Sequence, residues 1–99
     1  MTSTIYGLRD PRDSKIYYVG QSREPKVRLY GHIAASRERK KNAWLNSLTD
    51  AALLPQLVHL QELDSLDWVN VSNVEIEWMI ELLRRGEPLT NIIAERLKV

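Results

Sequence analysis

The chain has 99 residues, no cysteine and a formal net charge of +1. This length supports one compact domain over 1–99, and the lack of cysteine excludes disulfides, thiolate metal sites and thiol nucleophiles. The apolar runs are shorter than the ~18 residues of a membrane span, and the N-terminus lacks the pattern of a signal peptide. We therefore expect a cytoplasmic protein with no membrane partner.

Charge is distributed unevenly along the chain. Residues 1–50 carry ten Lys and Arg against five Asp and Glu, whereas residues 51–99 carry four against eight. A basic half on a nearly neutral protein is typical of a surface that binds a polyphosphate. An unevenly charged but merely solvated surface explains the same pattern equally well.

The first half of the chain predicts a hairpin and a helix. Residues 3–8 and 15–20 are β-branched and aromatic segments separated by turn formers, which indicates two antiparallel strands. Pro25 suits the first turn of a helix over about 25–35. Helical spacing would place four of its residues on one face, namely Val27, Tyr30, Gly31 and Ala34.

Residues 36–41 form a basic connector, and a second helix is predicted over about 41–49. Its apolar stripe would comprise Trp44, Leu45 and Leu48. Leu57 to Leu63 alternates weakly in polarity, which favours a third strand. The basic side chains could contact a nucleic-acid backbone without reading its sequence, or could simply be solvated.

The last strong element is a helix over about 70–85, which Gly86 and Pro88 end. An apolar stripe comprises Val71, Trp78, Met79 and Leu82, and Glu75 falls on the same inward side. Glu81 and Arg85 can pair on another face.

Glu75 has two interpretations. With Ser72 as the N-cap, it would close a capping box. If the helix begins near residue 68 or 70, Glu75 is instead a partly buried anion that needs a partner, such as a magnesium ion.

A second set of polar residues suits phosphate chemistry. Arg28 and His32 are four residues apart, so they share one helix face, and a guanidinium matches phosphate oxygens with two parallel hydrogen bonds. A surface arginine beside a surface histidine is the simpler interpretation. Tyr6, Tyr17 and Tyr18 are ordinary strand residues, but a phenol becomes a usable base where nearby cations stabilise its phenolate.

The order of these features resembles the GIY-YIG nuclease family. The matching elements run from residue 4 to residue 91 and arrive in the family's order: Thr4-Ile5-Tyr6, Tyr18-Val19-Gly20, Arg28 with His32, Glu75, and Asn91. Thr4 replaces the first motif's glycine and Val19 replaces an isoleucine. Neither change removes a chemical group.

The resemblance implies an α+β fold with a central three-stranded antiparallel sheet flanked by helices. It implies a DNA endonuclease with one Mg²⁺ or Mn²⁺ ion on Glu75. Tyr6 would be the general base and Tyr18 its support, although the two roles could be exchanged.

The resemblance also implies roles for the other matched residues. Arg28 would clamp the scissile phosphate, and His32 would assist Tyr6 or the phosphate. Asn91 would orient the phosphate or a tyrosine, and Lys15 could help to ionise the tyrosine. The residues expected to contact the DNA backbone are Lys15, Arg37, Arg39, Lys40 and Lys41.

The resemblance leaves the protein's partners and its activity to be tested. Specificity would be low, or would come from a homodimer or another protein. The competing functions are an inactive DNA-binding module of the same fold and a small interaction domain without a nucleic-acid role.

Overall fold

A computed structural model of the chain describes residues 2–34, 39–64 and 67–91. The elements follow in the order β1 (Ser3–Arg9), β2 (Ile16–Ser22), α1 (Pro25–Ala34), α2 (Arg39–Asp50), β3 (Gln56–Leu63) and α3 (Trp68–Arg84). The strands form one antiparallel sheet in the order β2-β1-β3. The predicted α+β class and three-stranded antiparallel sheet are therefore confirmed. Within the described residues, no helix is long and apolar enough to cross a membrane.

The hairpin of β1 and β2 contains an irregularity at its tyrosines. Tyr6 pairs with Gly20 and Leu8 with Tyr18, but the next residue of β1, Arg9, pairs with Ile16. Tyr17 is therefore an extra residue in β2, a β-bulge. The bulge lets two consecutive tyrosines, Tyr17 and Tyr18, pack against the same group of residues.

The sheet separates two cores because consecutive strand residues point to opposite faces. On one face, which we call the α3 face, Ile5 and Val19 pack against α3. On the other, the tyrosine face, Tyr6 and Tyr18 pack against α2, and Leu29 of α1 joins them. The two stripes predicted for the helices are both present, with Val71, Met79 and Leu82 buried on α3 and Trp44, Leu45 and Leu48 buried on α2.

The free edge of β2 is covered by residues 87–91. Asn91 accepts a hydrogen bond from the Val19 N–H at 3.0 Å and donates one to the Val19 carbonyl at 2.8 Å. The hydroxyl and the N–H of Thr90 both donate to the Tyr17 carbonyl at 2.6 Å. An uncovered edge strand would expose unpaired backbone groups, so this segment protects the sheet.

Two predictions about the first two helices are wrong. Val27 is 63% exposed, whereas Leu29 of α1 packs against the tyrosine face. The side chains of the other three residues of the predicted stripe, Tyr30, Gly31 and Ala34, lie outside the part of the structure that is described. Residues 39–41 do not belong to a connector, because α2 begins at Arg39. Helical periodicity in a ten-residue segment leaves several stripes nearly equivalent, and only packing selects one of them.

The capping-box interpretation of Glu75 is also wrong. α3 begins at Trp68, and the side chain of Asp67 accepts hydrogen bonds from the first turn, including one from Val69 N–H at 3.0 Å. Ser72 therefore lies inside the helix. The end of the helix is as predicted, with Gly86 at φ +86° and Glu81 paired with Arg85 at 3.0 Å.

Candidate active site on the tyrosine face

Tyr6 and Tyr18 converge on Gly20. A Cβ atom at Gly20 would lie 2.5 Å from the hydroxyl oxygen of Tyr6 and 3.1 Å from Cε2 of Tyr18. Both tyrosines are almost buried, at 1% and 8% exposure. Any side chain at position 20 would displace the phenols, so the glycine allows them to approach each other.

Lys41 provides a cation at the same place. Its Nζ lies 4.3 Å from the centre of the Tyr18 ring, and the residue is only 5% exposed. An ammonium over an aromatic face is attracted by the ring's quadrupole, more strongly where water is excluded. This geometry does not fit the predicted contact between Lys41 and a DNA backbone, because the charge is directed into the protein.

The neighbouring Tyr17 has the opposite electrostatic environment. Its hydroxyl donates to Oδ2 of Asp13 at 2.6 Å, and its ring stacks on Trp44 with centroids 4.9 Å apart. The hydrogen bond to the carboxylate, with burial, raises the pKa of Tyr17 to about 12. Tyr17 is therefore held as a neutral phenol, whereas Tyr18 lies beneath a cation.

A buried carboxylate joins α2 to the hairpin. Asp10 is 2% exposed and accepts hydrogen bonds from Trp44 Nε1 at 3.0 Å and from the Arg12 guanidinium at 2.8 Å. Chiefly through the hydrogen bond from Arg12, the pKa of Asp10 falls to about 2. Because Trp44 follows Lys41 by three residues on α2, this anchor also helps to hold Lys41 over Tyr18.

Sequence reasoning missed Asp10. The pattern of residues 9–14 indicates only a turn, because aspartate is common in turns. A weak signal was present, because an Asp two residues before an Arg can accept that residue's N–H, as Asp10 does from Arg12 at 2.8 Å. The long-range contact with Trp44 has no local signal in the sequence.

Arg28 lies on the same side of the sheet as the two tyrosines. Its helix, α1, contributes the next residue, Leu29, to the tyrosine face, while Arg28 itself is exposed. An exposed guanidinium beside this core is accessible to a phosphate. His32 belongs to the same helix, but its side chain lies outside the part of the structure that is described.

Glu75 lies over the other face of the sheet. It is half-buried on α3, four residues after Val71 and four before Met79, both of which are buried on the α3 face. Its spacing from these two residues places Glu75 on the side of α3 that faces the sheet. The edge strand β2 therefore lies between Glu75 and the two tyrosines at Gly20, Tyr6 and Tyr18.

Along that strand, however, Glu75 and Gly20 are nearly level. Gln21, near the end of β2, donates to Ser72 at 3.5 Å, and the first N–H of β2 donates to Glu87 at 3.0 Å. α3 therefore runs antiparallel to β2. Glu75 lies ~4.5 Å beyond Ser72 along the helix axis, which corresponds to between one and two strand residues. By these rises the backbone of Glu75 lies near the level of Gly20 along β2.

The other residues predicted for the site lie at several different places in the chain. Lys15 is exposed and precedes β2, five residues from Gly20, which is roughly 16 Å along a strand. The cation that the structure shows beside Tyr18 is Lys41, and the role of Lys15 in ionising a tyrosine stays a prediction. Arg37 lies outside the described residues, as do the side chains of Arg39 and Lys40. Asn91 is engaged by the backbone of Val19.

Among the described residues, no group of three or more His, Cys, Asp or Glu side chains could hold a metal ion. Any ion near Glu75 would have to complete its shell with water and ligand oxygens. Magnesium commonly binds in this way, through one or two carboxylates and substrate phosphates.

Comparison of the chain with protein-family models, with curated proteins and with solved structures finds no match. The fold and the arrangement of these side chains therefore carry the functional argument.

Proposed function

We propose that this protein is a divalent-metal-dependent DNA endonuclease that hydrolyses a phosphodiester bond at the tyrosine face. The observation that carries the proposal is the close approach of Tyr6 and Tyr18 over Gly20 in a buried setting beside a cation. Phenols are poor bases in water and become effective only where their surroundings stabilise the phenolate.

Each of the candidate residues would have its own role in the reaction. One phenolate, on Tyr6 or on Tyr18, accepts a proton from the attacking water, and the other phenol orients that water or the phosphate. Arg28 is exposed beside this face and offers a bidentate donor to the scissile phosphate. His32, on the same helix, would assist the base or the phosphate.

Glu75 is the residue that would hold the metal ion. It fits that role because it is half-buried and lies on the side of α3 that faces the sheet. A single carboxylate suits magnesium or manganese, which keep water ligands. When bound, the ion would offset charge on the phosphate oxygens.

DNA is the substrate class that the charge distribution favours. The half of the chain that contains both tyrosines and Arg28 carries a net charge of +5, from ten basic and five acidic residues. Such a surface binds a polyanion with an affinity that falls steeply as salt concentration rises. A second copy of the chain or another protein could add specificity.

The test is cleavage of supercoiled plasmid with Mg²⁺ or Mn²⁺, with and without EDTA. We expect nicking by the wild-type protein, no nicking with EDTA, and a loss of about 10²–10³-fold in Glu75→Gln, the usual cost of removing one charge-stabilising group. Glu77→Gln is the matched control, because Glu77 is exposed on the same helix. Equal cleavage by the two variants would show that Glu75 has no catalytic role.

A second candidate is a DNA-binding module without catalysis, and one observation favours it. Glu75 and the tyrosines are on opposite faces of the sheet, so the carboxylate must act around the end of β2. This candidate predicts salt-dependent DNA binding without any nicking. A chain that neither binds nor cuts DNA would instead be an interaction domain.

A further inference from the structure

The two consecutive tyrosines of β2 differ in the charge that faces them. Tyr17 donates to the Asp13 carboxylate, which raises its pKa to about 12. Tyr18 has the Lys41 ammonium 4.3 Å from its ring centre. A carboxylate favours the neutral phenol, whereas an ammonium favours the phenolate. The bulge at Tyr17 therefore places two different phenols side by side. The surroundings of Tyr17 favour the neutral phenol, and those of Tyr18 favour the phenolate.

Lys41 places a buried cation beside Tyr18. Burying an ammonium disfavours the charged form, so buried lysines are rare and need compensating partners. Lys41 is 5% exposed on a helix that is anchored by the hydrogen bond from Trp44 to Asp10, one turn further along. A lysine that served only for solubility or general DNA attraction would stand in water.

Other titratable groups lie on the described elements around Tyr18. On β1, Tyr6 lies across Gly20, and its partner on β3, His59, is exposed. In the hairpin connection, Asp10 and Arg12 form an ion pair at 2.8 Å, so their charges largely cancel. On α1, Arg28 is exposed, so its charge is screened by water.

We propose that Lys41 is a positioning residue of the cleavage reaction: its buried ammonium stabilises the phenolate of Tyr18 and so makes Tyr18 the general base. This inference rests on the proposed nuclease function. Tyr18 first releases its hydroxyl proton to solvent. Its phenolate oxygen then accepts a proton from water as the water oxygen bonds to phosphorus. The P–O3′ bond breaks, and the leaving O3′ takes a proton from solvent.

The direct test is the ionisation of Tyr18 itself. Carbon-13 at the tyrosine Cζ reports ionisation by NMR, and the Tyr18 signal is identified by its disappearance in Tyr18→Phe. We expect the Tyr18 midpoint to move to higher pH in Lys41→Met and to stay near the wild-type value in Lys41→Arg, which keeps the cation. Lys26→Met is the matched control, because Lys26 is exposed on α1. An unchanged midpoint in Lys41→Met, or an equal change in Lys26→Met, overturns the proposal.

Cleavage provides the second readout. In Lys41→Met the rate at neutral pH should fall by ~10-fold or more, and the rising limb of the pH–rate profile should move to higher pH. Lys41→Arg should restore both. A rate loss that is the same at every pH contradicts the assignment and indicates a purely structural lysine.

A further measurement covers the case in which Lys41→Met does not fold. In Tyr18→Phe the ring remains but the phenol is lost, so the Lys41 ammonium should release its proton at lower pH than in the wild-type protein. Identical lysine titrations in the two proteins overturn the coupling. Absence of cleavage by the wild-type protein overturns the nuclease function, whereas the coupling is judged by the titrations alone.

Discussion

The two faces of the sheet are built from different kinds of residue. The buried hydrophobic cluster on the α3 face comprises Ile5, Ile16, Val19, Val71, Met79, Leu82 and Leu89. The tyrosine face buries two phenols and, beside them, Lys41 and Asp10. Burying polar and charged groups costs free energy unless each is paired. The comparison teaches that the tyrosine face combines buried phenols with charged groups, whereas the α3 face buries an apolar cluster and carries the half-buried Glu75.

Among the variants that distinguish the two faces, the one that lacks Arg28 should lose the most cleavage. In Arg28→Ala we expect cleavage to fall by about 10²–10³-fold, because the scissile phosphate loses a preorganised donor. The melting temperature should hardly change, since the side chain is exposed. Lys26→Ala removes another exposed cation from the same helix and should cut nearly as well as the wild-type protein. Near-wild-type cleavage by Arg28→Ala would show that the clamp assignment is wrong.

Asn91 covers the edge of β2 at Val19, and its substitution tests whether this contact serves stability. Asn91→Ala leaves the N–H and the carbonyl of Val19 without their partner. We expect a loss of about 3 kcal/mol in the free energy of unfolding, from two backbone groups left unsatisfied. Urea denaturation measures this loss. If stability is unchanged while cleavage disappears, Asn91 acts on the phosphate or a tyrosine, as the family resemblance implies.

Two glycines allow the faces to be compared directly. Gly20→Ala would bring a methyl carbon to 2.6 Å from Cζ of the buried Tyr6 ring, whereas Gly7→Ala would meet a terminal carbon of Ile16 at 3.1 Å on the α3 face. We expect a loss of about 2 kcal/mol for Gly20→Ala and a smaller loss for Gly7→Ala. The cleavage rate, divided by the concentration of folded protein, should fall only in Gly20→Ala. An equal effect on cleavage would remove the distinction between the faces.

The buried Asp10 predicts an acid dependence that belongs to the tyrosine face. Folding lowers the pKa of Asp10 from 3.8 to about 2, so its contribution is complete above pH 4 and is lost as the pH falls towards 2. The loss should be about 2 kcal/mol. Denaturation at pH 5, 3 and 2 should show this loss in the wild-type protein but not in Asp10→Asn. The same acid profile in both proteins would assign the effect to other carboxyls.

Local patterns predicted most of the fold because they depend on neighbouring residues. Alternating β-branched and aromatic residues marked the strands, and Gly86 marked the end of α3, where a positive φ was required. The stripe of Val71, Met79 and Leu82 was recognisable because a long helix repeats its period several times. α1 has ten residues, too few for its periodicity to select Leu29 over Val27.

The candidate site was predictable only in part. Tyr6, Tyr18, Arg28 and Glu75 were identified from their order along the chain. The bulge at Tyr17, the partnership of Lys41 with Tyr18 and the anchor at Asp10 were not, because each depends on a contact between residues distant in sequence. The capping role of Glu75 was eliminated only when the structure showed that α3 begins before Ser72.

The sequence by itself determined the fold class, the hairpin that carries the tyrosines and the stripes that bury two helices, since these follow from local conformational preference and from hydrophobic period. The tertiary structure alone decided which charge faces which phenol and on which side of the sheet each polar group lies. Those choices depend on strand register and helix packing, in which a one-residue shift turns a side chain to the other face.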